Sequence, residues 1–173
     1  MSDFLELVGR RESCRDYSGA PVGKEDLLRC IEAARLAPSA CNGQPWSFVV
    51  VTNEQMRGEL VKVTQPFTKA AGAFIVLVEE KPSFQTKVVN KLKQQDYTQV
   101  DIGIAASHMC LAATERGLAT CMLGWFNEKK IKELLNIPAS KRVRLVISVG
   151  YATSHETKPK KRKDLDMLLN VVE

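Results

Sequence analysis

Residues 38–46 read Pro38-Ser39-Ala40-Cys41-Asn42-Gly43-Gln44-Pro45-Trp46. The run separates an amphipathic stretch, Lys24 to Leu36, from an apolar one, Ser47 to Thr52. In the first, Leu27, Leu28, Ile31 and Ala34 recur near the 3.6-residue period and predict a helix. In the second, Phe48-Val-Val-Val-Thr52 has the length and β-branched content of a buried strand. The connection between them holds more special residues than a spacer needs. Pro38 and Pro45 fix φ at two points, and Gly43 permits close backbone approach. Ser39, Asn42 and Gln44 offer short polar groups. Such a run reads either as an ordinary helix-to-strand turn or as a loop that holds a flat ligand with many acceptors against a sheet edge.

Working outward, the same patterning predicts the remaining elements. Leu5 to Arg11 is a short helix, and Pro21 to Lys24 a turn. Asn53 is the N-cap of a helix running to Val63, and Ala73 to Val78 is a second buried strand. Pro82 to Gln95 is polar and reads as helical. From Ile102 to Thr114 the chain carries no full-time charge, only His108, and Gly103, Ala105, Ala106, Ser107, Ala112 and Ala113 are small. A helix over Asp101–Arg116, ended by Gly117, must therefore be buried on most faces, at the centre of a domain or between two copies. Strands at Thr120–Gly124 and Arg142–Tyr151 bracket a helix at Glu128–Leu135. Asp164 to Val172 reads as a last short helix. This order predicts an α+β or α/β sandwich around four or five strands, in one domain spanning 1–173.

Composition narrows the class. Of 173 residues, 45% are hydrophobic and 26% charged, as in a soluble globular domain. The absence of a long apolar run predicts no membrane partner, and charged Met1–Arg11 predicts no signal peptide. Cysteines at 14, 30, 41, 110 and 121 form no CxxC pair, which argues against a metal site and for reduced thiols in a cytoplasmic protein. Cys41 and Cys121 are expected as buried, inert thiols, His108 as a buried helix residue and His155 as a surface-loop residue. The net charge of +5 owes much to Lys158-Pro-Lys-Lys-Arg-Lys163, which suits a nucleic-acid patch, a local anion site or a solvated surface.

A second run alters the reading of the first. Arg10-Arg11-Glu12-Ser13-Cys14-Arg15-Asp16-Tyr17 sets three guanidiniums and a hydroxyl within six residues. An extended segment would put Arg11, Ser13 and Arg15 on one side, where guanidinium forks match phosphate geometry. A charged surface turn, paired with Glu12 and Asp16, is the alternative. Together, Arg-x-Ser-x-Arg-x-Tyr at 11–17 and Pro-Ser-x-x-Asn-x-Gln-Pro-Trp at 38–46 resemble the FMN-dependent nitroreductase family. The helix end Glu32-Ala-Ala-Arg-Leu-Ala-Pro38, Asp101-x-Gly103, Gly117-Leu118, Gly124 and Lys160-Lys-Arg162 are similar too, so the resemblance spans nearly the whole chain.

The resemblance implies an α+β fold: a three-layer α/β/α sandwich on a mainly antiparallel sheet of four to five strands, in an intertwined homodimer. Two FMN molecules would lie at the subunit interface, each touched by both chains. Arg11, Ser13 and Arg15 would hold the phosphate, ribityl chain and pyrimidine edge, with Glu12 giving backbone contact. Lys160 and Arg162 would complete a phosphate clamp. Pro38, Ser39, Ala40 and Asn42 would come from the partner chain to line the ring. Met122, Leu123 and Gly124 would lie along it, with a backbone N–H near 124 facing N5, and Gln65 would reach the pyrimidine edge.

The activity so implied is an NADH- or NADPH-dependent oxidoreductase. Hydride passes through flavin N5 to a nitroaromatic, quinone or similar electron-poor acceptor, by a ping-pong scheme and with no obligatory side-chain acid, base or nucleophile. Related reactions, reductive dehalogenation or flavin breakdown, are alternatives inside the same resemblance. The segment between Val78 and Asp101 is short for a lid over the flavin. A non-enzymatic basic module for nucleic acid is the alternative outside it, but aromatic residues do not interleave the basic runs.

Overall fold

A computed structural model of the chain describes residues 3–81, 88, 92, 96–154, 156 and 159–173. All four expected strands form: β1 (Trp46–Val51), β2 (Ala73–Glu79), β3 (Ala119–Leu123) and β4 (Arg142–Gly150). They make one antiparallel sheet in the order β1-β2-β4-β3. Helices α1 (Phe4–Arg10), α2 (Lys24–Arg35), α3 (Glu54–Val63), α4 (Tyr97–Glu115) and α5 (Glu128–Leu134) connect and cover it.

Strand β2 is apolar from Ala73 to Val78 because both its faces are covered. In β2, Ala73, Ile75 and Leu77 face a layer built from α2 and α4, where they meet Cys30, Ala34, Ala105 and Met109. Phe74, Val76 and Val78 face the opposite layer, with Leu60 of α3 and Ile131 of α5. The fold is thus α+β with three layers. A bulge keeps the second layer filled: Leu77 pairs with Leu145, but Val78 pairs with Val143, so β4 carries one extra residue. That residue reverses the alternation and turns both Val143 and Val146 toward the α3–α5 layer.

Local chemistry explains the helix boundaries. Asn53 caps α3 as expected, its Oδ1 accepting the Met56 N–H at 3.0 Å, and Asn127 caps α5 in the same way at 3.1 Å. Helix α4 begins one turn before the expected Asp101, because the Asp96 carboxylate accepts the Thr98 N–H at 3.1 Å and caps it there. Gly117 ends it with φ +73°, as a C′ glycine does. Arg116 ties this end to Asp26 of α2 at 2.7 Å.

Two expectations need correction. Asp164–Val172 is not a helix: only a 3-10 turn at Leu165–Met167 forms, and Leu165, Met167, Leu168 and Val171 are exposed. A segment this short needs packing to hold a helix, and none of its large apolar residues is buried against this chain. His108 is half-buried rather than buried, since α4 packs inward only through the face of Ile102, Ala105, Ala106, Met109 and Ala113. Its other face, with Gly103 and Ser107 exposed, borders a hollow of about 580 Å³ lined also by Phe4, Leu7 and Leu36. The expected helix at 82–95 lies, save for Val88 and Leu92, outside the described residues, as do His155 and Lys158. No helix among those described is long and apolar enough to cross a membrane.

Gly150 closes β4 against the N-terminal segment. A Cβ there would stand 2.8 Å from Cδ1 of the Tyr17 ring and 3.1 Å from the Gly72 nitrogen. Tyr17 cannot swing away, because its buried hydroxyl is bonded to Ser148 Oγ at 2.8 Å. Gly150→Ala should therefore cost about 1–3 kcal/mol as overpacking. Denaturant melts should show a lower midpoint, and an unchanged midpoint would contradict this packing.

Candidate functional site

Arg11–Tyr17 runs beside the free edge of β3 as an extended segment. Ser13 bridges Thr120 in parallel, and the Cys14 N–H reaches the Thr120 carbonyl at 2.9 Å. Tyr17 pairs with Ala152, and the Ser18 N–H reaches the Tyr151 carbonyl at 2.9 Å. Cys14 and Tyr17 are buried and act as anchors, while Ser13 and Arg15 stay exposed and Arg11 half-buried. Burial raises the Tyr17 phenol far above its usual range, so this anchor stays neutral.

The C-terminal basic run folds back on this segment, where Lys160 Nζ donates to the Arg11 carbonyl at 2.5 Å. Between the two lies a cavity of about 780 Å³, lined by Arg11, Glu12, Ser13, Arg15, Lys160 and Arg162 among others. Asp16 also lines it, but its Oδ2 accepts from Thr153 Oγ1 at 2.6 Å. Burial lowers the Lys160 ammonium below its usual range, and the Arg11 and Arg162 charges lower it further, against Glu12. Cations held this close repel one another, and a phosphate among them would reverse that cost.

Beside the cavity, Arg15 lies over the Phe67 ring, 5.9 Å from its centre. Phe67 belongs to a 3-10 turn, Pro66–Ala70, that follows Gln65. Gln65 Nε2 donates to the Trp125 carbonyl at 3.1 Å, so this residue braces the loop after β3. At the end of β3 Met122 is 38% exposed, and Gly124 after it is exposed, whereas the Leu123 side chain is buried in the core and leaves only its backbone for a ligand. Trp125 is 85% exposed, although the Asn127 N–H, bonded to the Val63 carbonyl at 2.8 Å, holds the loop in place.

Pro38, Ser39, Ala40 and Asn42 are not brought into this cavity. They sit on the α2–β1 connection, where Ala40–Asn42 form a 3-10 turn. Its geometry differs from the reading of Gly43 as the adaptable position. Gly43 has φ −72°, while Cys41, Asn42 and Gln44 have φ of 51°, 49° and 44°. Local bonds allow this: Ser39 Oγ accepts the Gln44 N–H at 3.0 Å, and the Gln44 amide donates to Asn42 Oδ1 at 3.2 Å. Cys41 is exposed, not buried as expected, since the left-handed turn directs it away from the core. Cys121 is buried, and burial raises its thiol above the usual range.

Thr153, Phe67 and Trp125 were not evident as site residues from the sequence. Pro66 is a turn signal that could have pointed to Phe67, and a tryptophan directly after the strand-ending Gly124 could have pointed to Trp125. Thr153 carries no local signal, because it joins the site through pairing across 137 residues.

The model of the nitroreductase family matches residues 8–63 and 57–151, and the chain belongs to that family. A protein of Archaeoglobus fulgidus named as an NADH dehydrogenase/NAD(P)H nitroreductase is 33% identical, over 95% of this chain and 90% of its own. The iodotyrosine deiodinase of Thermotoga neapolitana is 25% identical, over 92% and 93%. An FMN-dependent nitroreductase of Clostridium difficile superposes with a TM-score of 0.73 at 29% identity, covering 94% of each chain.

The crowded cations yield a direct expectation. Millimolar inorganic phosphate should raise the thermal midpoint of the wild-type protein, and the rise should shrink in Lys160→Gln, which removes one of the converging charges. Equal rises in the two proteins would place the anion elsewhere.

Proposed function

We propose that the chain is an FMN-dependent NAD(P)H oxidoreductase that works as a homodimer, with residues 1–173 acting as one flavin-binding domain. The observation that carries this reading is the convergence of Arg11, Ser13 and Arg15 with Lys160 and Arg162 on one cavity. Those residues fit FMN: the cations take its phosphate, Ser13 offers a hydroxyl to the polar chain, and Arg15 reaches toward the pyrimidine edge. Met122 and the backbone of Leu123 and Gly124 form one wall for the flat ring. The second wall comes from Pro38, Ser39, Ala40 and Asn42 of the other copy.

Three features support the dimer. The flavin-lining turn stands apart from the phosphate cavity of its own chain. The small-residue face of α4 is open, with Gly103 and Ser107 exposed beside the hollow at Phe4 and Leu36. The C-terminal segment carries Leu165, Met167, Leu168 and Val171 exposed, which a second chain would cover.

When bound, FMN supplies two-electron transfer at N5 between a reduced nicotinamide and an acceptor. The protein's part is to bind and orient. A backbone N–H near Gly124 would donate to the bound ring, and the Arg15 charge would favour added negative charge on its pyrimidine side. Trp125 would offer an aromatic surface to a flat, electron-poor acceptor such as a nitroaromatic or quinone. The likeness to an iodotyrosine deiodinase favours a second reading, reductive dehalogenation of a halogenated phenol at the same site.

Purified protein should be yellow, hold about one FMN per chain and bleach with NADH or NADPH; colourless protein that takes up no added FMN would sink the proposal. Arg11→Ala and Arg15→Ala should each weaken FMN binding about tenfold or more, as loss of a charge-assisted contact implies. Unchanged affinity in both would contradict the assigned contacts. Steady-state rates with nitro compounds, quinones and iodophenols separate the two reactions.

A further inference from the structure

Asp101 is a buried acid that the proposed chemistry does not use. It lies in the second turn of α4, 3% exposed. Its Oδ1 accepts the Ala40 N–H at 3.1 Å, which joins α4 to the turn after α2. Its Oδ2 is fully enclosed and has no hydrogen-bond partner among the described residues. Burial raises this carboxyl above the usual range, against the Ala40 N–H and with help from Asp96. A half-satisfied buried carboxyl destabilises a fold, and the one bond it makes goes to the turn.

What it secures is a strained turn. Three non-glycine residues, Cys41, Asn42 and Gln44, have positive φ within four positions. Each such residue is strained, because its Cβ crowds the backbone in the left-handed region. The bonds inside the turn are local: Asn42 N–H to the Ser39 carbonyl at 3.0 Å, Gly43 N–H to the Ala40 carbonyl at 2.9 Å, and those of Gln44 to Ser39 and Asn42. Local bonds favour the turn's shape but do not tie it to the rest of the fold. The Ala40–Asp101 bond anchors the first residue of the turn to the most buried helix of the molecule.

We propose that Asp101 is the positioning residue of this turn: by holding the Ala40 N–H it keeps Cys41 and Asn42 in their left-handed conformations and presents the turn pre-shaped to the flavin. The second half of this statement rests on the FMN reading above; the first does not. A preformed wall spares the ordering cost that a loose turn would add to ligand binding. Asp101 is buried and bonded to the Ala40 N–H, so its effect on the turn passes through Ala40.

Two variants and two readouts test it. Asp101→Ala removes the acceptor but suits the helix. Asp101→Asn keeps an acceptor at the Oδ1 position. In the flavin-free protein, amide hydrogen exchange of residues 40–44 should quicken at least tenfold in Asp101→Ala and stay within about threefold of wild type in Asp101→Asn, while Ala73–Glu79 keeps its rate in both. FMN titration should show about tenfold weaker binding and an altered visible circular dichroism in Asp101→Ala, with both restored in Asp101→Asn. Unchanged exchange at 40–44 in Asp101→Ala overturns the anchor, as does equal quickening of Ala73–Glu79, which would mark Asp101 as a core residue alone. Faster exchange with unchanged FMN affinity overturns the pre-shaping. A wild-type protein that binds no FMN sinks the flavin reading, and the exchange result still decides the anchor.

Discussion

Ala73 to Val78 has no side left for solvent. Each residue is at most 1% exposed, and the strand pairs with β1 on one edge and β4 on the other. This double burial organises the rest. It demands a helical layer on each face, which α2 with α4 and α3 with α5 supply. It makes β4 follow β2 residue by residue, with one bulge to keep the α3–α5 layer filled. It also leaves β3 outermost on its side, so the edge of β3 is free to hold Ser13 and Cys14. The basic cavity is thus a consequence of strand order, since the guanidiniums are carried by a segment whose backbone is moored to the sheet.

Electrostatics in that cavity runs against the stability of the fold. Lys160 lies near Arg11 and Arg162, and their charges help to lower its ammonium below the usual range. Cations that repel one another while converging on one cavity are preorganised for an anion. The strained turn at Cys41–Gln44 follows the same logic. Positive φ at three non-glycine residues is retained because local bonds and the Ala40–Asp101 anchor over-determine it. Both regions hold local cost at the places assigned to the ligand.

Much of the layout was legible in the sequence, for physical reasons. The continuous apolar run at 73–78 could only be a strand buried on both faces, and the Asn53 cap and the Gly117 stop mark helix ends whose chemistry is local. The alternation of Arg11, Ser13 and Arg15 could be read because an extended segment has period two. Less legible were features decided at a distance. The Asp96 cap extended α4 by a turn, and the 38–46 run is tied at Ala40 to Asp101 across 61 residues. Gly43 was the natural place to expect unusual backbone, yet the strain falls on Cys41, Asn42 and Gln44. The C-terminal segment misled because its apolar residues suggest a helix, while the surface that would hold one is absent from this chain.

The central claim is that each flavin site is built from two chains, the arginine segment from one and the 38–42 turn from the other. Two defective variants test it: Arg11→Ala/Arg15→Ala, which lacks two of the assigned flavin contacts, and Asn42→Pro, whose ring cannot take positive φ. Each alone should bind little FMN. Co-expressed, they form mixed dimers in which one of the two sites is wholly wild type, so FMN content should recover to about one quarter of the wild-type value when pairing is random. Co-expressed dimers that bind no more FMN than the variants alone would show that each site lies within a single chain.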